Sequence, residues 1–219
     1  MCFNAAASFG SAVVIGGIGG ATLPLVHDRR QIPFASLPLI FCVHQLLEGV
    51  VWMQIHAAGG TTVRTPAVEV WLLIAWVLLP VLIPLSVRWF EPDPRRRNLM
   101  LGLAGLGVLV GAYLGIGSMV WSTVAEANRH HLEYRIPAHG WLMAIPYVAA
   151  TIGPMLASSA RFVVRFGLAM LGAMALTVVV DAKAFSSMWC FFAALLSVGL
   201  YLHYARSPSA KLRQPDLAA

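Results

Sequence analysis

Apolar residues run along this chain in blocks of about 20, the length that crosses a hydrocarbon core of about 30 Å. The blocks predict membrane spans over residues 4–26, 33–55, 66–90, 98–121, 138–157, 166–180 and 184–204. Short polar stretches separate them: His27-Asp28-Arg29-Arg30 after the first block, Ala57-Ala58-Gly59-Gly60 after the second, and Glu91-Pro92-Asp93-Pro94-Arg95-Arg96-Arg97 after the third. Only 122–137 is long enough to hold structure outside the membrane. Pro80 and Pro84 in the third block, and Pro146 and Pro154 in the fifth, remove ladder donors and predict kinks. The pattern predicts an all-α, seven-transmembrane-helix bundle as one domain over 1–205, with a polar basic tail over 206–219.

Charge then orients the bundle. Hydrophobic residues make up 59% of the chain and charged ones 11%, well under the roughly 25% charged of soluble domains, and the mean hydropathy is +0.76. The net charge of +6 does not point to nucleic acid, because the basic residues cluster between apolar blocks, where they act as topology signals. With the N-terminus outside, the inner segments carry Arg29, Arg30, Arg88, Arg95, Arg96, Arg97, Arg161, Arg165, Arg206, Lys211 and Arg213, and the outer ones Arg64, Arg129, Arg135 and Lys183. That asymmetry places the C-terminus in the cytoplasm and the chain in the inner (cytoplasmic) membrane, among membrane lipids. Positive charge follows the first block where a signal peptide would carry it ahead, so that span is expected to be retained. Gly16 and Gly20 in the first span, and Gly107, Gly111 and Gly115 in the fourth, form ridges for close helix packing or for pairing with a second copy.

The second block carries groups that hydrocarbon does not tolerate without partners. With His44 at zero, a helix sets Glu48 at about 40°, Trp52 at about 80°, Gln45 at about 100° and His56 at about 120°, one stripe that must face other helices. His44 and Glu48 are i,i+4, so their side chains can meet, as two metal ligands, as a carboxylate beside an imidazole, or as a structural lock. On the seventh block, Ser186, Cys190, Ser197, Tyr201 and Tyr204 share a narrow hydroxyl and thiol face. The outer surface collects His56, Glu69, Glu126, His130, His131, Glu133, His139, Asp181 and Lys183, with Cys2 at the same surface, and its histidines and carboxylates are a donor set suited to zinc or copper. Its alternative is an exposed polar loop, since His130-His131-x-Glu133 matches no metal motif. An oxidising outer compartment would allow Cys2 and Cys190 to pair.

The opening Met1-Cys2-Phe3-Asn4-Ala5-Ala6-Ala7-Ser8-Phe9 resembles the MCFSAxASF start of a family of uncharacterised prokaryotic multi-pass membrane proteins. Residues Trp189 to Ser197 are similar to that family's WCFFAALLS segment, and Gln45-x-x-Glu48-Gly49 is similar as well. Asn4 departs from the family's usual Ser. The resemblance implies a multi-pass fold and a membrane address, and brings no activity with it.

The residues lead to an outward-opening polar pocket that binds a small ligand or metal ion. Glu48 and His44 form its floor as the candidate catalytic pair, and Gln45, Trp52, Glu69, Cys190 and Ser186 are candidate ligand-binding residues. His130, His131, His139 and Cys2 are candidate metal ligands. Three classes fit: an intramembrane metal-dependent enzyme or sensor, a proton-coupled carrier or channel that uses Glu48 and His44, and a non-catalytic subunit of a membrane complex. Seven spans with an outside N-terminus match the alkaline ceramidase and adiponectin-receptor superfamily in outline, but the seventh span lacks its HxxxH. Only His44 lies deep, which disfavours bis-histidine haem, and Lys183 is too shallow for a retinal Schiff base.

Overall fold

The computed structural model describes residues 4–121, 123–128, 131–135, 140–181 and 196–206. Asn4 opens α1 (Ala5–Thr22) by accepting a hydrogen bond from the Ala7 N–H. Asp28 caps the turn that leads into α2 (Ile32–Ala35) and α3 (Leu37–Ala58). α3 ends at Gly59, whose φ of 64° is the left-handed conformation that glycine adopts without a Cβ penalty. The third apolar block forms α4 (Pro66–Leu72), a π-helical stretch (Leu73–Leu78) and α5 (Leu79–Phe90). α6 (Pro94–Val120) starts on the Asp93 carboxylate, which accepts from the Arg95 N–H. Then come two strands (Val124–Asn128 and His131–Arg135), α7 (Ala144–Thr151), α8 (Gly153–Leu156) and α9 (Arg161–Asp181), and residues 196–205 are again helical.

Five of these helical stretches are long and apolar enough to cross a membrane: Ala5–Leu25, Arg29–Ala58, Pro66–Phe90, Pro94–Val120 and Arg161–Val179. They coincide with five of the predicted blocks. Within the predicted span over 138–157 the described residues form a broken helical path, a 3-10 turn (Gly140–Met143) followed by α7 and α8. Pro154 cannot donate to the Ala150 carbonyl that continuation of α7 would require, and the helix restarts at Gly153. Much of the predicted seventh span, including Ser186 and Cys190, lies outside the described residues.

The third span shows how one proline shapes its neighbours. In the π stretch the Leu79 N–H donates to the Ile74 carbonyl, five residues back. The same register would assign Ala75 to Pro80, which has no N–H. The Tyr147 hydroxyl fills the gap from α7, donating to the Ala75 carbonyl at 2.8 Å. On the other side α6 approaches so closely that a Cβ on Gly107 would lie 2.0 Å from the Pro80 carbonyl oxygen. The glycine ridge of α6 is thus used inside the chain, against Trp76 to Val81.

Two ends of the bundle can be told apart. At one, Phe34 meets Phe90, Phe162 and Phe166 edge to face at 5.9 to 6.2 Å, and His203 stacks on Phe162 at 3.8 Å. Glu91 ties two connections together there, accepting from the Ser158 hydroxyl at 2.9 Å, the Ser159 N–H at 2.8 Å and the Ser159 hydroxyl. At the other end a three-stranded antiparallel sheet joins β1 (Thr62–Val63) to β2 (Val124–Asn128) and β2 to β3 (His131–Arg135). The register sets Ala125 opposite Tyr134 and Ala127 opposite Leu132. Segments that charge assigns to the outer side share the sheet, and segments assigned to the inner side share Glu91. The spans expose large apolar side chains, among them Val179, Ile145 and Val13, and bury within an otherwise apolar core the polar Ser8, His44, Gln45, Glu48, Thr177 and Ser197. Such an exterior suits contact with lipid.

Candidate functional site

α3 presents His44, Gln45 and Glu48 to the interior, each with 0% exposure, and Trp52 follows two turns above His44 at 4%. Of the stripe read from spacing, His44, Gln45, Glu48 and Trp52 are buried, and His56, one turn beyond Trp52, is exposed. α1 covers this level, with the Phe9 ring where a Cβ on Gly49 would lie. Ser8, next to Phe9, is fully buried as well.

The imidazole of His44 is held from the third span. Its Nε2 lies 3.2 Å from the Trp71 carbonyl oxygen, and since a carbonyl only accepts, this nitrogen donates. In the neutral ring Nδ1 is then an acceptor. It is buried with no hydrogen-bond partner among the described residues, as are the indole N–H groups of Trp52 and Trp71. Buried polar atoms are nearly always paired, so the acceptor on His44 and the indole donor of Trp71 stacked on it, with a further donor on Trp52 two turns along α3, are the chemical signature of this region.

Aromatic stacking joins this centre to the sheet. The Trp71 ring lies against His44 at 4.1 Å, and Tyr134 of β3 stacks on Trp71 at 3.8 Å with an interplanar angle of 16°. Tyr134 sits on the buried face of the hairpin with Leu132 and Ala125. The hairpin therefore closes the bundle over His44. Thr65 adds a tie by donating to the Gln54 side-chain oxygen at 2.6 Å.

The other candidates separate. Glu69 projects outward from α4 and pairs with Arg64 at 3.6 Å, away from the buried group. His56 is exposed and hydrogen bonds through Nδ1 to the Trp52 carbonyl at 2.7 Å. His131 begins β3 and is 9% exposed. Cys2, His130, His139, Ser186 and Cys190 lie outside the described residues. Among the described residues no three His, Cys, Asp or Glu side chains gather as metal ligands, so a zinc or copper site would have to draw on that remainder.

Two residues at the centre escaped sequence reasoning. Nothing in the spacing around Trp71 links it to His44, because the contact crosses between spans. Tyr134 carried a readable signal, since Leu132 and Tyr134 alternate with polar neighbours at the period of a strand.

No curated protein and no solved structure matches the chain. The sequence does match the family model of DUF6629, a family of unknown function, over residues 1–215, and the chain belongs to that family.

Proposed function

We propose that this chain is a seven-span inner-membrane protein, N-terminus outside and C-terminus cytoplasmic, that takes a small polar ligand or ion from the outer side to a site made by His44, Gln45 and Glu48. The observation that carries the reading is the His44 imidazole, wholly buried, donating to Trp71 and leaving Nδ1 without a partner among the described residues. A site with one ring acceptor, one carboxyl group, one carboxamide and two indole donors suits a ligand that both accepts and donates hydrogen bonds. The hairpin carrying Tyr134 is the outer cover, and its displacement would open the site.

The test is the content of the purified protein. Small molecules and metals released on denaturing wild type, His44→Gln and Glu48→Gln should be compared by mass spectrometry and elemental analysis. A near-stoichiometric solute in wild type, reduced about tenfold by Glu48→Gln through loss of a charge-assisted hydrogen bond, supports the site. Identical extracts from all three proteins overturn it.

A second reading, proton-coupled transport through Glu48 and His44, draws on the π stretch in the third span and the break between α7 and α8. Interrupted helices of this kind line transporter cavities. Under that reading Glu48→Gln abolishes proton flux into proteoliposomes while leaving insertion unchanged.

A further inference from the structure

A groove of about 590 Å³ opens at the aromatic end between α9 and the helical residues 196–205, within the size range of ligand sites. Its walls are apolar, among them Phe166, Ala169, Leu196 and Leu200, and Arg165 and Arg206 stand at its polar mouth beside His203. Both arginines are exposed, and neither forms an ion pair with a described residue. The described carboxylates at this end make other contacts. Glu91 accepts from Ser158 and Ser159, Asp93 from the Arg95 N–H with Arg96 beside it, and Asp28 from the Arg30 N–H. The mouth thus holds two guanidinium groups that pair with no carboxylate among the described residues, above a slot lined mostly by apolar side chains.

We propose that this groove binds one anionic phospholipid of the inner leaflet, with an acyl chain between the helices and the phosphate held by Arg165 and Arg206. Guanidinium forks match phosphate oxygens geometrically, and basic pockets between helices on the cytoplasmic side suit such headgroups. The inference rests on the membrane reading of the chain but makes no use of Glu48 or His44.

Native mass spectrometry of protein taken from the membrane fraction, in micelles doped with equal phosphatidylglycerol and phosphatidylcholine, tests it. Wild type should retain one phosphatidylglycerol about tenfold over phosphatidylcholine. Arg165→Gln/Arg206→Gln should bring the ratio to parity, while Arg95→Gln/Arg97→Gln, away from the groove, and Glu48→Gln keep it. A Cβ on Gly199 meets open space, so Gly199→Leu should fold normally and reduce retention of both lipids by filling the slot. A preference that survives the loss of Arg165 and Arg206, or that falls equally with Arg95 and Arg97, overturns the proposal. So does displacement of the lipid by millimolar inorganic phosphate together with no effect of Gly199→Leu, the pattern of a free-anion site. Recovery of wild type in the soluble fraction without detergent would instead overturn the membrane reading itself.

Discussion

At the scale of single residues, the chain spends its buried polar groups on a few defined tasks. Burial alone would raise the Glu91 carboxyl, but hydrogen bonds from Ser159, Ser158 and Asp93 outweigh it and hold the group below the usual carboxylate range. A depressed carboxyl stabilises the fold above its unfolded value, and that contribution is lost as pH falls through the folded one. Thermal unfolding in detergent between pH 7 and pH 3 should therefore show wild type losing stability on acidification. Glu91→Gln should be less stable by about 2 kcal/mol at pH 7, with a flatter pH profile. Gly107 offers a contrast within one helix. Gly107→Ala drives a methyl into the Pro80 carbonyl and should cost about 1–3 kcal/mol, whereas Gly105, with open space at its Cβ position, should accept Ala with a gain of up to about 1 kcal/mol. Melting temperatures of the two variants decide it.

At the scale of elements, the hairpin and the π stretch do what regular helices could not. The π register leaves the Ala75 carbonyl without its ladder donor, and Tyr147 repairs it from α7. Tyr147→Phe should lower stability by about 1–3 kcal/mol, the cost of an unsatisfied buried acceptor. The hairpin seats Tyr134 on Trp71, which shields the indole from the outer side. Acrylamide quenching of the native tryptophans should gain an accessible component in Tyr134→Ala. That component should vanish in Trp71→Phe/Tyr134→Ala; equal quenching of wild type and Tyr134→Ala would mean that the hairpin is no cover.

At the scale of the whole molecule, the two ends carry the orientation. The sheet joins the loops after α3 and α6, and Glu91 joins the connections after α5 and α8. Because the basic clusters lie at the Glu91 end, that end is expected in the cytoplasm. Above the wild-type background, a cysteine at Thr61 should react with an impermeant maleimide on intact cells, and one at Arg97 only after permeabilisation. The reverse labelling would invert the topology. The glycine ridges bear on assembly in a similar way. Gly107, Gly111 and Gly115 are consumed by the third span, and of the first-span pair Gly16 packs against Cys42 of α3 while Gly20 faces open space, so that the Gly16–Gly20 ridge is not free as a whole for pairing with a second copy.

Much of this architecture was legible in order along the chain. A span declares itself by length and apolar content, so Pro66–Phe90 and four others stand where the hydropathy pattern put them. The buried stripe of α3 follows from helical period alone, because His44, Gln45 and Glu48 can escape lipid in only one direction. What tertiary structure decided are the contacts between segments distant in sequence. The imidazole meets the Trp71 carbonyl 27 residues away. Tyr134 reaches Trp71 only because β2 and β3 fold back over the bundle, and Glu69, close in sequence to Trp71, turns outward to Arg64. Period fixes which face of a helix is buried; which partner meets that face depends on crossings, a π register and a hairpin that no local pattern encodes.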